Sequence, residues 1–216
     1  MSVMPDNLAS VLELLLVTDD DLLAGRDLVG VVREAVAGGA TAVQLRLKRA
    51  TARELAAAGR ALMAAVAVPV FVNDRLDVAL AIGAAGVHLG SDDVPAARAR
   101  ELAPPGFLVG VSVGLESEIP NGAAADYWGI GPWRVTGTKR DAGVALGAEG
   151  FAALRARAGG RPCIAIGGVR AEDVPAILEA GASGVAVVSG ILAAPDVASA
   201  ARRYAGALDV PARPPR

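Results

Sequence analysis

Val70-Phe71-Val72-Asn73-Asp74-Arg75 and, a short helix further on, Gly86-Val87-His88-Leu89-Gly90-Ser91-Asp92-Asp93 are the stretches on which the reading of this chain turns. Each is a short apolar run that stops abruptly at carboxylates. A strand buried on both faces, as in a parallel sheet covered by helices, reads as such a run. In a closed β/α barrel the functional groups gather at the C-terminal ends of the strands. An aspartate placed there points to chemistry more than to solvation.

Outward from these stretches the same grammar recurs. A helical pattern ends in glycine, small residues follow, and a β-rich run begins: Gly39-Ala40-Thr41-Ala42-Val43, Gly83-Ala84-Ala85-Gly86-Val87 and Gly181-Ala182-Ser183-Gly184-Val185. Glycine just past a helix end supplies the left-handed residue that caps it. Strands are expected over 13–18, 41–47, 70–73, 86–89, 108–112, 126–130, 163–166 and 184–188. Helices are expected over 27–37, 51–66, 75–82, 94–102, 116–122, 148–158, 171–180 and 195–205. Eight strands alternating with eight helices imply a parallel sheet. Eight such units within 216 residues suit an α/β fold of one kind, a single (β/α)8 TIM barrel. The alternative is a doubly wound open sheet, but its Gly-x-Gly-x-x-Gly turn is missing after the first strand, which ends in Val17-Thr18-Asp19. The expected organisation is an N-terminal arm over 1–10, a catalytic barrel over 11–206 and a Pro/Arg-rich disordered tail over 207–216.

Composition narrows the function. Acidic and basic residues nearly balance at a net charge of −2, and no basic stripe appears, so nucleic acid is not an expected partner. Cys163 is the only cysteine and His88 the only histidine. An internal disulfide, a multi-cysteine metal site and a site built from two imidazoles are therefore excluded. Cys163 follows Pro162 at the head of an apolar run and is expected to be a buried structural thiol. The longest apolar stretch, 61–72, is too short to span a bilayer and carries Pro69. No signal peptide is apparent, so a cytoplasmic protein without a membrane partner is expected.

The second strand reads Val43-Gln44-Leu45-Arg46-Leu47-Lys48 and alternates strictly. Side chains two apart share a face, so Val43, Leu45 and Leu47 should lie under the helices, with Gln44, Arg46 and Lys48 facing the interior or mouth. Two cations there require an anionic partner. Either Glu13 or Asp74 pairs them internally, or the strip is a phosphate or diphosphate site. Asp74 and Asp93 each follow a strand, and Mg²⁺ is often held by one or two carboxylates together with substrate phosphates. Asp93 is the better ligand and Asp92 the better helix cap; Asp74 has the alternative of pairing with Arg75. After the sixth strand, Thr136, Thr138 and Lys139 cluster in an aperiodic loop and could bind a phosphate. Gly167-Gly168 and Ser189-Gly190 end strands seven and eight, where phosphate cups recur in such barrels. His88 reads as a structural or supporting histidine.

Val43-Gln44-Leu45-Arg46-x-Lys48, Asn73-Asp74-Arg75, Gly86-Val87-His88-Leu89-Gly90-x-x-Asp93, Gly110-Val111-Ser112, Thr136-x-Thr138-Lys139, Ile166-Gly167-Gly168 and Val188-Ser189 stand in register over about 14–204, and together resemble the thiamine-phosphate synthase family. The resemblance implies a Mg²⁺-dependent transferase of thiamine biosynthesis, joining hydroxymethylpyrimidine diphosphate to thiazole phosphate. It assigns Gln44, Arg46, Lys48, Asn73, Ser112 and Lys139 to the pyrimidine diphosphate, with Lys139, Arg46 and Ser112 as the catalytic groups. Thr136, Thr138, Gly168, Val188 and Ser189 go to the thiazole phosphate, and Asp74 and Asp93 to the metal. The implied partners are phosphorylated small molecules; a homo-oligomer is admitted but not specified.

The chain departs from the family pattern at four places. Gly114 stands where histidine is usual, Leu47 where glutamate is, Ser91 where glutamine is common, and Val135 where proline precedes the Thr-x-Thr-Lys run. None removes a proposed metal or diphosphate ligand. A related thiazole tautomerase shares the barrel but uses a histidine near the Gly114 position. A non-catalytic barrel that binds thiazole or thiamine phosphate is the other alternative.

Overall fold

In the computed structural model, residues 8–135 and 143–209 are described. Eight parallel strands close into a barrel in sequence order, β1 to β8 with β8 returning to β1. They are β1 Leu14–Val17, β2 Ala42–Leu45, β3 Val70–Asn73, β4 Gly86–Leu89, β5 Leu108–Val113, β6 Tyr127–Ile130, β7 Cys163–Ala165 and β8 Gly184–Val187. The open-sheet alternative is thereby excluded, and no helix among the described residues is long and apolar enough to cross a membrane.

Alternation along the strands separates two cores. Leu14, Leu16, Val43 and Leu45 pack outward against the helices, and the partly buried Leu47 joins them. Leu15, Val17, Ala42, Phe71, Leu108, Tyr127, Ile164 and Ala186 fill the barrel interior. A bulky side chain so buried contributes about 1.5–3 kcal/mol. The floor is closed by α1 (Leu8–Val11) and the residue that follows it: Leu8 and Leu12 belong to the interior cluster, so part of the expected N-terminal arm packs into the barrel.

The helices are α2 Leu28–Ala37, α3 Ala52–Ala65, α4 Leu76–Ile82, α5 Ala96–Leu102, α6 Ile119–Gly122, α7 Gly147–Ala156, α8 Val174–Glu179, α9 Ser189–Leu192 and α10 Val197–Leu208. Their ends follow local chemistry. Asp27 caps α2 through Val29 and Gly30 N–H, and Thr51 with Glu54 forms a capping box on α3. Gly83 ends α4 at φ +70°, the left-handed cap expected from the repeated glycine pattern. Gly86 then opens β4 where a Cβ would meet Leu108 O at 2.3 Å, so only glycine lets strand and neighbour approach this closely.

Four details differ from expectation. β2 stops at Leu45, which puts Arg46 and Lys48 in the loop beyond the strand. The one-turn α9 was not expected, and α10 runs on to Leu208. Asp92 is exposed and caps no helix; Pro95 stands at the N-cap of α5, and the Ala96 N–H donates to Asn121 Oδ1 of α6 at 2.8 Å. Cys163 is buried as expected, and burial pushes its thiol up to about 11.

Candidate active site

The barrel mouth is built where β1 to β5 end. Asp74 follows β3 with φ +63°, alone among the described non-glycine residues in the left-handed region. Aspartate tolerates that conformation better than most residues, and backbone strain of this kind gathers at functional sites. The turn is held by Asp74 N–H donating to His88 O at 2.8 Å and Arg75 N–H to Asn73 O at 2.7 Å. Arg75 does not pair with Asp74: it forms a two-pronged contact with Asp77, at 2.8 and 2.6 Å.

Asp93, from the loop after β4, is fixed by Gly90 N–H donating to its Oδ2 at 2.6 Å. Its carboxyl reaches Asp74. Burial first, then the hydrogen bond and the like charge of Asp93, push the Asp74 carboxyl up to about 6, while Lys48 and Arg46 pull the other way. Two oxygen donors held in mutual repulsion suit a hard divalent cation. No group of three or more His, Cys, Asp or Glu side chains that could hold a metal occurs among the described residues, so such an ion would complete its shell from substrate and water.

The cationic strip sits beside this pair. Lys48 Nζ is 3.7 Å from Asp74 Oδ2. Arg46 is paired neither with Glu13 nor with Asp74. Its Nη1 donates to Asp19 Oδ2 at 2.8 Å, and the two side chains are only 17 % and 13 % exposed. Thr18 Oγ1 accepts from Arg46 N–H at 2.7 Å, and Asp20 Oδ2 accepts from Lys48 N–H at 2.7 Å. The loop after β1 therefore clamps the loop after β2. Sequence reading missed Asp19 and Asp20, although they follow a strand just as Asp74 does; the same rule would have found them.

Deeper in the barrel, Gln44 is 2 % exposed and its Nε2 has no hydrogen-bond partner among the described residues. An unmade bond there costs about 1–3 kcal/mol, which a ligand acceptor would recover. Asn73 and His88 are paired in register across β3 and β4. His88 Nε2 lies 3.1 Å from Ser112 Oγ on β5, and its Nδ1 lies 3.1 Å from Tyr127 Oη on β6. Ser112 and Asp93 both line a cavity of about 630 Å³ that continues past Ser91 and Glu118 to Asn121. At Gly114 a Cβ would lie 2.6 Å from Gly131 O, so the ends of β5 and β6 approach too closely for any side chain. Glu118 Oε2 secures this loop by accepting from Gly114 and Leu115 N–H at 2.6 and 2.9 Å.

Across the mouth, Gly168 has φ +69°, and a Cβ there would stand 2.9 Å from the Arg134 Cβ and 3.2 Å from Val135 O. The Val135 departure is exposed beside it. Val188 packs partly against the interior, and Ser189 opens α9 at the surface. Arg134 ties the loop after β6 to that after β7 through Asp173, a buried residue whose carboxyl the guanidinium holds below its usual range. Thr136, Thr138 and Lys139 lie outside the described residues. The structure thus brings together Gln44, Arg46, Lys48, Asn73, Asp74, Asp93 and Ser112 around one mouth, with Gly168, Val188 and Ser189 on the β7–β8 side.

The chain is similar to known proteins over most of its length. The family model described as thiamine monophosphate synthase matches residues 14–191. A thiamine-phosphate synthase of Azorhizobium caulinodans is 51% identical over 196 residues, covering 88% of this chain and 92% of that protein. Its counterpart in Xanthobacter autotrophicus is 48% identical, covering 91% and 95%. Among solved structures, thiamine phosphate pyrophosphorylase from Pyrococcus furiosus is similar with a TM-score of 0.84 and 36% identity, over 94% of this chain and 98% of that one.

Proposed function

Because this chain belongs to the thiamine monophosphate synthase family and carries out that family's transfer, we propose that its barrel mouth joins hydroxymethylpyrimidine diphosphate to thiazole phosphate with Mg²⁺ bound by Asp74 and Asp93. Gln44, Arg46, Lys48, Asn73, Ser112 and Lys139 hold the pyrimidine diphosphate. Thr136, Thr138, Gly168, Val188 and Ser189 hold the thiazole phosphate. The observation that carries this reading is the carboxylate pair facing the Arg46–Lys48 strip, with the Asp74 carboxyl pushed up to about 6.

The reaction breaks the bond between a benzylic-type pyrimidine carbon and a diphosphate oxygen, whose electron pair leaves with the diphosphate. The thiazole nitrogen supplies the pair for the new carbon–nitrogen bond. No side-chain nucleophile is needed. Arg46 and Lys48 meet the charge that grows on the leaving group, and they are preorganised because Thr18, Asp19 and Asp20 hold their loop before substrate arrives. Gln44 and Asn73 orient the pyrimidine ring against the closed interior, and the cup across the mouth sets the thiazole in line. When bound, Mg²⁺ acts as a Lewis acid on diphosphate oxygens.

Purified protein incubated with both substrates should form thiamine phosphate with Mg²⁺ and lose that activity with a chelator. Turnover undiminished by the chelator would remove Mg²⁺, and with it the Asp74–Asp93 pair, from the reaction.

A further inference from the structure

The only histidine of the chain is buried at 6 % exposure inside the barrel, between a phenol and a serine hydroxyl. Its place has been cleared for it. A Cβ on Gly110 would lie 2.1 Å from the Tyr127 ring, and one on Gly129 would lie 3.1 Å from His88 Cε1. Register puts His88 beside Gly110, Gly110 beside Tyr127, and Ser112 beside Gly129. The two glycines thus open a slot for the Tyr127–His88 ring pair, whose centroids are 5.6 Å apart. Ser112 sits one layer above, at the mouth.

We propose that Tyr127 and His88 are positioning residues that set the hydrogen-bond polarity of Ser112, so that its hydroxyl proton points at an acceptor atom of the bound pyrimidine diphosphate. A phenol is a much better donor than acceptor. Tyr127 is fully buried, and burial raises its pKa so far that the proton stays on oxygen. Its Oη–H therefore donates to His88 Nδ1. In a neutral imidazole one nitrogen donates when the other accepts, so Nε2 carries the proton and donates to Ser112 Oγ. With a lone pair of Oγ engaged from below, the serine proton is directed upward into the cavity it shares with Asp93. The same residue steadies the carboxylate pair, since His88 O accepts from Asp74 N–H. The inference rests on the assignment of Ser112 to the pyrimidine diphosphate site.

One histidine makes the test direct. In protein labelled with ¹⁵N-histidine and free of ligand, the imidazole should appear as a single neutral tautomer with the proton on Nε2. A proton on Nδ1, or a charged ring at neutral pH, overturns the relay whatever the enzyme does. Tyr127→Phe should convert that signal to a tautomer mixture. It should raise the KM for pyrimidine diphosphate about tenfold, the worth of one oriented hydrogen bond, and leave the KM for thiazole phosphate unchanged. In a Ser112→Ala background the Tyr127→Phe effect on KM should vanish; an undiminished effect there refutes coupling through Ser112. His88→Gln, which retains a donor near the Nε2 position, should keep more affinity than His88→Asn, and equal losses count against the relay. If the tautomer is as stated but Ser112→Ala leaves KM unchanged, the assignment of Ser112 to this substrate fails instead.

Discussion

Replacing Asp74 by asparagine should stabilise the metal-free protein while removing its response to Mg²⁺. The Asp74 carboxyl is raised from 3.8 to about 6 by burial and by Asp93. For a group raised above its unfolded value, the favourable contribution is complete below pH about 3.8 and is lost as pH climbs through about 6. About two pKa units correspond to roughly 3 kcal/mol. The side chain is 32 % exposed, and screening by water reduces this to about 1–2 kcal/mol. For a chain of this size each kcal/mol moves Tm by about 2–4 °C. Asparagine is the informative substitution because it accepts the φ of +63°, so backbone strain does not mask the electrostatic gain. Thermal unfolding in chelator should show the variant about 3–6 °C more stable than the parent at pH 8 and close to it at pH 4. Added Mg²⁺ with inorganic diphosphate should then stabilise the parent only, and Mg²⁺-dependent turnover should fall in the variant. A variant less stable at pH 8, or a gain that is the same at pH 4 and pH 8, would refute the electrostatic account of the pair.

Other perturbations test the rest of the mouth. Asp19→Ala strips Arg46 of its partly buried partner and should cost about 2 kcal/mol in chemical denaturation; it should also raise the KM for pyrimidine diphosphate, and an unchanged KM would remove Asp19 from the positioning role. Lys139→Ala should slow turnover by about 10²–10³ in steady-state assays, and a near-parental rate would move Lys139 out of the site. Gly114→Ala drives a methyl toward Gly131 O, 2.6 Å away, and should destabilise by about 1–3 kcal/mol; a neutral denaturation midpoint would show that the two loops can part freely.

The barrel and much of its mouth were legible because both are written in local patterns. The Gly-small-Gly-Val repeats correspond to real caps and close strand starts at Gly83 and Gly86. Alternation in 43–48 correctly sent Val43 and Leu45 outward and Gln44 inward. The Asp92 cap was wrong because the Ala96 N–H is satisfied from another helix, by Asn121. The partner of Arg46 was missed because Asp19 and Arg46 belong to different β/α units and meet only when strands 1 and 2 pair.

Period, glycine placement and carboxylates at strand ends are short-range properties, and they suffice to determine eight β/α units and the end at which chemistry collects. Which groups touch across that end is a matter of which strands pair and in what register. Pairing of β3 with β4 brings Asp74 against Asp93, and burial with that like charge raises its pKa, while the Gln44 amide inside the barrel is left without a partner among the described residues. Strand pairing also stacks His88 between Tyr127 and Ser112 through two glycines on neighbouring strands. These contacts join residues of different β/α units, so only the pairing of those units in the folded barrel decides them.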